Sequence, residues 1–329
     1  MKIAIRILLP LAAIVLLTMV VSIGSGDVFI HPRDTWKTLL GRGNPDHELL
    51  IWMLRMPRLV VALLAGASLA VSGAILQAVI RNPLASPDVV GITAGASAAS
   101  VLFIAAAPAA LSIHWLPLAA MAGAAAAAAL VYLLAWKKGV SSNRLVLVGI
   151  GIASFMSACT TFLIIQSPMH TASQAYIWLT GTVYGSSWMN VWTLLPWTVV
   201  FLAIALLSVR HINIMQLGDE AATGAGNRVQ RTRLLLVLLC VALAGSAVSM
   251  CGAVGFVGLI APHMARRLAG PSLGKLIPAA GLIGAIMVSL ADLVARTAFL
   301  PLDIPVGVLT SGIGAPFFIY LLYRTRNYR

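Results

Sequence analysis

Stretches of about twenty apolar residues, separated by short polar segments, recur along this whole chain. A helix needs roughly 20 such residues to cross the hydrocarbon core of a bilayer. Inside that core every backbone polar group must be satisfied within the chain, so runs of this kind fold as membrane helices. Candidate crossings lie at 7–23, 59–80, 89–111, 116–136, 145–165, 191–209, 234–252, 253–268, 276–299 and 305–323. Charged residues make up 9% of the chain, against about a quarter in a soluble domain. That excludes an ordinary soluble enzyme, a disordered chain and a nucleic-acid-binding domain. The expected fold class is all-α: a polytopic membrane protein of about ten transmembrane helices, forming one domain over 1–329.

Charge fixes the expected orientation. With the N-terminus inside, 16 of the 22 Lys and Arg fall on the cytoplasmic side. The outer six are Arg33, Lys37, Arg42, Arg55, Arg58 and Arg296. Cytoplasmic loops carry the excess of basic residues, so both termini are expected to be cytoplasmic. The eighth crossing is the weakest, since Pro262 interrupts it and His263, Arg266 and Arg267 end it. Losing it would reverse the ninth and place Arg324, Arg326 and Arg329 outside, so the charge pattern retains it. Lys2 and Arg6 precede the apolar run from Ile7 as in a signal peptide, but many spans follow, and an uncleaved first helix is expected.

Catalytic and metal-binding patterns are missing. Gly270 to Lys275 looks like a phosphate loop but is one residue short, and Leu276 stands where a magnesium-binding hydroxyl is needed. The six His have no metal-ligand spacing, and Cys159, Cys240 and Cys251 show no pairing. No catalytic residue, metal, cofactor or nucleotide-binding domain is therefore assigned. Few ionisable residues fall within the spans, which argues against an ion-coupled carrier. Asp292 and Arg296 are four apart and share a helix face on which they can pair. Gly91-x-x-x-Gly95 and Gly181-x-x-x-Gly185 have helix-packing spacing.

The largest inner loop runs from 210 to 233. Its centre, Leu217-Gly218-Asp219-Glu220-Ala221-Ala222-Thr223-Gly224-Ala225-Gly226, combines helix formers with chain-turning glycines. A short helix, a tight turn and a second short helix would make a knob at the membrane surface. By composition it is a connector or a docking surface. On the outer side, Ala172 to Leu179 suits a short interfacial helix.

Five segments, in order along the chain, resemble the FecCD family of permeases. They are Leu54-Arg55-Met56-Pro57-Arg58 with Gly66 to Gly73; Gln77 with Arg81-Asn82-Pro83-Leu84-Ala85-Ser86-Pro87; Gly255 to His263 with Arg266; Ala291 to Arg296; and Ile304 to Phe318. The resemblance implies the membrane subunit of a binding-protein-dependent ABC importer in the cytoplasmic (inner) membrane of a bacterium. Its substrate would be an iron chelate such as a siderophore or ferric citrate, with cobalamin or haem as the alternative within the class. An ion-coupled secondary transporter is the alternative outside it. The implied partners are two cytoplasmic ATPase subunits, a second identical or similar permease forming a dimer, and an extracytoplasmic substrate-binding protein. The chain itself would hydrolyse nothing. By the same resemblance, Leu217, Gly218, Asp219, Glu220, Ala221, Ala222 and Gly226 form the ATPase-coupling loop. Arg55, Arg58 and Arg296 would dock the binding protein's glutamates, with snorkelling to lipid headgroups as the alternative, or for Arg296 its pairing with Asp292.

Overall fold

The computed structural model describes residues 2–106 and 112–326, and these are helical with no strand among them. Fifteen helices are used below: α1 (Lys2–Gly24), α2 (Pro32–Leu39), α3 (Pro45–Glu48), α4 (Met56–Ile80), α5 (Ile92–Ala106), α6 (Leu116–Leu134), α7 (Ser142–Gln166) and α8 (Met169–Leu179). Then come α9 (Trp188–Leu207), α10 (Val209–Gln216), α11 (Asp219–Gly224), α12 (Val229–Cys251), α13 (Val257–Ala269), α14 (Leu273–Thr297) and α15 (Val306–Arg326). A helix stands at each expected crossing. The end of the third, 107–111, lies outside the described residues, as does Arg329.

Among the described residues, seven helices are long and apolar enough to cross a membrane, and α5 and the apolar part of α15 are shorter. The helix at the second expected crossing begins earlier than expected. α3 and α4 are joined through a π-helical segment, Leu49–Arg55, into one 36-residue run from Pro45 to Ile80. The loop of 24–58, expected on the outer side, is thus largely helical. The eighth crossing also departs from expectation. The chain does not break at Pro262, which sits inside α13; it breaks before it, at Gly252 to Phe256. α13 has 13 residues, about 20 Å of helix, too short for the core by itself. The extended stretch ahead of it is held by protein: Thr182 donates to the Cys251 carbonyl at 2.7 Å, and Gly307 donates to Gly181 at 2.9 Å. Non-helical backbone at membrane depth is tolerated only where protein covers it in this way.

α4 is the central post, flanked by α14 and α12 and touched by α13 and α9. α1 packs on α14, while α5, α6 and α7 form a second group joined to the first through α12. Backbones meet where side chains are absent. A Cβ on Gly66 would lie 2.2 Å from the Gly284 carbonyl oxygen, and one on Gly284 would lie 2.2 Å from that of Gly66. Close approach of this kind replaces the hydrophobic drive that lipid cannot supply. The Gly-x-x-x-Gly spacings in the sequence pointed mostly elsewhere. Gly95 does meet Gly123 across α5 and α6, but Gly91, Gly181 and Gly185 have positive φ outside the helices.

Candidate functional site

The segment 210–226 folds as a helix, a tight turn and a helix. α10 ends at Gln216, Leu217 and Gly218 turn the chain, and α11 begins at Asp219. Gly218 has φ +102°, a conformation that side-chain-bearing residues avoid. A Cβ there would also lie 2.9 Å from Nη1 of Arg81. Asp219 and Glu220 put negative charge in the first turn, where the helix dipole favours it. The Thr223 hydroxyl donates to the Asp219 carbonyl at 2.7 Å, and Asn227 N–H closes the far end on the Ala222 carbonyl at 3.0 Å.

The knob has two faces. Ala222 is fully buried among Ile212, Met215 and the main core. Leu217, Glu220, Ala221 and Gly226 are exposed. An apolar side chain as exposed as Leu217 beside a carboxylate suits contact with another protein. What anchors the knob is Asp219. Its carboxylate receives two bonds from Nη2 of Arg233 on α12, at 2.7 and 2.9 Å, and lies 3.5 Å from Nη2 of Arg81. Arg233 is fully buried, and its Nη1 donates to the Val140 carbonyl in the loop between α6 and α7. Arg81 caps α4 in a left-handed conformation. One carboxylate on the knob therefore grips two long buried helices.

Sequence reasoning overlooked Arg81 and Arg233 in this role. Arg81 was visible only as part of a helix-ending motif and Arg233 only as a cytoplasmic charge. The one available signal was position, since Arg233 is the last charge before the apolar run of α12.

At the end expected to face outward, the structure brings the three arginines close to internal partners. Arg58 donates through Nε to Asp292 Oδ1 at 2.8 Å and forks onto Asp303, with Nη1 to Oδ2 at 2.5 Å and Nη2 to Oδ1 at 2.9 Å. Its guanidinium also lies 5.6 Å from the centre of the Tyr184 ring. Arg296 Nε is 3.6 Å from Asp292 Oδ2, and its Nη2 donates to the carbonyl and hydroxyl of Ser22 on α1. Arg55 donates to the carbonyls of Ile23 and Val28. All three arginines are buried, and none offers a free guanidinium. The Asp292–Arg296 pairing exists, but Arg58, far away in sequence, is the closer partner of Asp292. The pairing of Asp303 with Arg58 was not foreseen, because nothing in the sequence places the two together.

The FecCD transport family matches residues 14–324 of the chain. The Probable siderophore transport system permease protein YfhA of Bacillus subtilis (strain 168) is 51% identical over 326 residues, covering 98% of this chain and 94% of its own. The Achromobactin transport system permease protein CbrC of Dickeya dadantii (strain 3937) is 49% identical over 314 residues, covering 95% and 90%. Among solved structures, a metal-chelate type ABC transporter in an inward-facing conformation superposes with a TM-score of 0.87 at 30% identity, covering 97% of this chain and 99% of its own.

Proposed function

The chain belongs to the FecCD transport family, and we propose that it is the permease subunit of a bacterial ABC importer that carries an iron chelate across the cytoplasmic membrane. The siderophore and achromobactin permeases it resembles over nearly their whole length support that substrate class. The whole chain serves as one transmembrane domain with ten crossings and both termini inside, a topology supported by the distribution of basic residues. A second permease, identical or similar, completes the path. Exposed apolar side chains on α7 and α15, such as Phe155 and Ile313, suit that contact or lipid.

The observation that carries the mechanism is the grip of Arg233 and Arg81 on Asp219. ATPase subunits engage the exposed face of α10 and α11 and move the knob when they close on ATP. Asp219 passes that displacement to α12 through Arg233 and to α4 through Arg81. Both helices are packed through the core, so they move as bodies rather than deform.

Docking of a substrate-binding protein falls to the outer face. Arg55, Arg58 and Arg296 can serve it only by exchanging partners. Asp303, with its side chain 27% exposed against 1% for Asp292, is the partner an incoming carboxylate would displace from Arg58.

The test is uptake of a ferric siderophore into proteoliposomes holding the permease, its ATPase and its binding protein. Uptake driven by ATP supports the reading. Uptake of cobalamin or haem in place of iron chelate would reassign the substrate.

A further inference from the structure

A cavity of about 510 Å³ opens beside the knob, walled by the start of α10, the turn after α11 and the first turns of α12. Its polar lining is basic: Arg210, Arg228 and Arg231 with the imidazole of His211, and no carboxylate among them. The two nearby acids are otherwise placed. Asp219 is held by Arg233 and Arg81, and Glu220 does not line the cavity. Among the described residues, none of these three arginine side chains makes an ion pair with Asp219, whose partners are Arg81 and Arg233, or with any other carboxylate. Three exposed arginines line one recess that holds no carboxylate, so their like charges add to a positive field that favours an anionic ligand. Asn227, also in the wall, adds a donor. Its Oδ1 accepts from the Thr232 hydroxyl at 2.6 Å, which leaves its buried Nδ2 without an acceptor.

The position of the cavity narrows the ligand. It lies where two apolar spans end, α9 at Leu207 and α12 at Val229. Leu235 lines it and is 55% exposed, and Leu207, which precedes the lining Ser208 in the chain, is 83% exposed. A basic recess above bare leucines matches an amphiphile with an anionic head and an apolar tail. Guanidinium forks bind phosphate oxygens bidentately and keep their charge throughout the relevant pH range. Basic pockets at helix ends on the cytoplasmic side hold anionic headgroups for these reasons.

We infer that this cavity is a binding site for the phosphate headgroup of an anionic phospholipid, seated between Arg210, Arg228 and Arg231 with its chains along Leu207 and Leu235. The site rests on the proposed cytoplasmic placement of the knob but not on which chelate is carried.

The experiment delipidates the intact transporter complex in detergent and counts retained phosphatidylglycerol by mass spectrometry, with phosphatidylcholine offered in parallel. The parent protein is expected to retain phosphatidylglycerol at least tenfold over phosphatidylcholine. The variant R210Q/R228Q/R231Q is expected to lose that preference, while R210K/R228K/R231K, which keeps the charge, retains a large part of it. Equal retention of both lipids by the parent overturns the proposal, and that arm needs no variant to fold. Undiminished preference in the glutamine variant also overturns it. So does displacement of the lipid by millimolar inorganic phosphate, which would make this a site for free anions. A glutamine variant that keeps the lipid but releases the ATPase would assign the arginines to a protein interface instead.

Discussion

Asp219, the first residue of α11, and Arg233, in the second turn of α12, form an ion pair in which one guanidinium nitrogen, Nη2, reaches both carboxylate oxygens; the arginine is fully buried and the aspartate side chain is 38% exposed. The asymmetry has a physical consequence. The buried guanidinium has this carboxylate and the Val140 carbonyl as its acceptors, so it cannot lose Asp219 without a desolvated charge left short of a partner. The knob is thereby fixed to the membrane helices at one point.

Asp219→Asn is expected to lower the stability of the permease by about 2 kcal/mol, less than the roughly 3–5 kcal/mol for a fully buried pair because Asp219 keeps partial access to water. Substrate-stimulated ATP hydrolysis should fall more steeply than binding of the ATPase. Arg233→Lys, a single point donor, cannot serve both the carboxylate and Val140, and should give an intermediate loss. Thermal unfolding together with hydrolysis in the assembled transporter separates the two effects.

At the turn, Gly218→Val combines an unfavourable φ with a clash against Arg81, and Ala222→Asp buries a charge in the core. Both should abolish coupled hydrolysis. Gly151→Ala on α7, outside the knob, should leave coupled hydrolysis intact and serves as the control. Normal transport by the Gly218 and Ala222 variants would remove the knob from the mechanism.

Where α4 crosses α14, Gly66→Val has no room, because the Gly284 carbonyl occupies the space of its first side-chain carbon. A loss of about 3 kcal/mol or more is expected, with helices forced apart. Gly151→Ala on α7 meets nothing within 4 Å and should be neutral or slightly stabilising. Thermal unfolding of the two purified variants checks the contrast.

The outer cluster yields a ranking. Asp292→Asn, at a side chain 1% exposed between two arginines, should destabilise more than Asp303→Asn. Asp303→Asn should also leave Arg58 freer for an incoming carboxylate and so preserve or tighten capture of the binding protein. Arg58→Glu should weaken capture at least tenfold. Capture measured on the folded complex distinguishes these outcomes, and unchanged capture by Arg58→Glu would rule the arginine out of docking.

The apolar helices were legible because twenty-residue apolar runs are a local property of the chain. The knob was legible for the same reason: its helix formers and glycines lie within ten residues. Pro262 misled, because a proline six residues into a helix marks a break only if the helix had begun earlier, and Gly252 had already ended it. The partners of Asp219 and Arg58 were not legible. Arg81 reaches Asp219 across more than a third of the chain, and Arg58 reaches Asp292 and Asp303 across most of it. Such pairings follow from how α4 packs, not from any pattern along the chain. Burial of Arg55, Arg58 and Arg296 was hidden too, since a basic residue just outside an apolar run looks the same whether it faces water or a neighbouring carbonyl.

The most direct measurement is iron-chelate uptake into proteoliposomes assembled with or without the ATPase, with ATP inside or outside and the proton gradient collapsed. Uptake is predicted only when ATPase and ATP are both present at the knob face, and it should vanish on changing Gly218 to Val. Accumulation by the permease alone, driven by an ion gradient, would contradict the account.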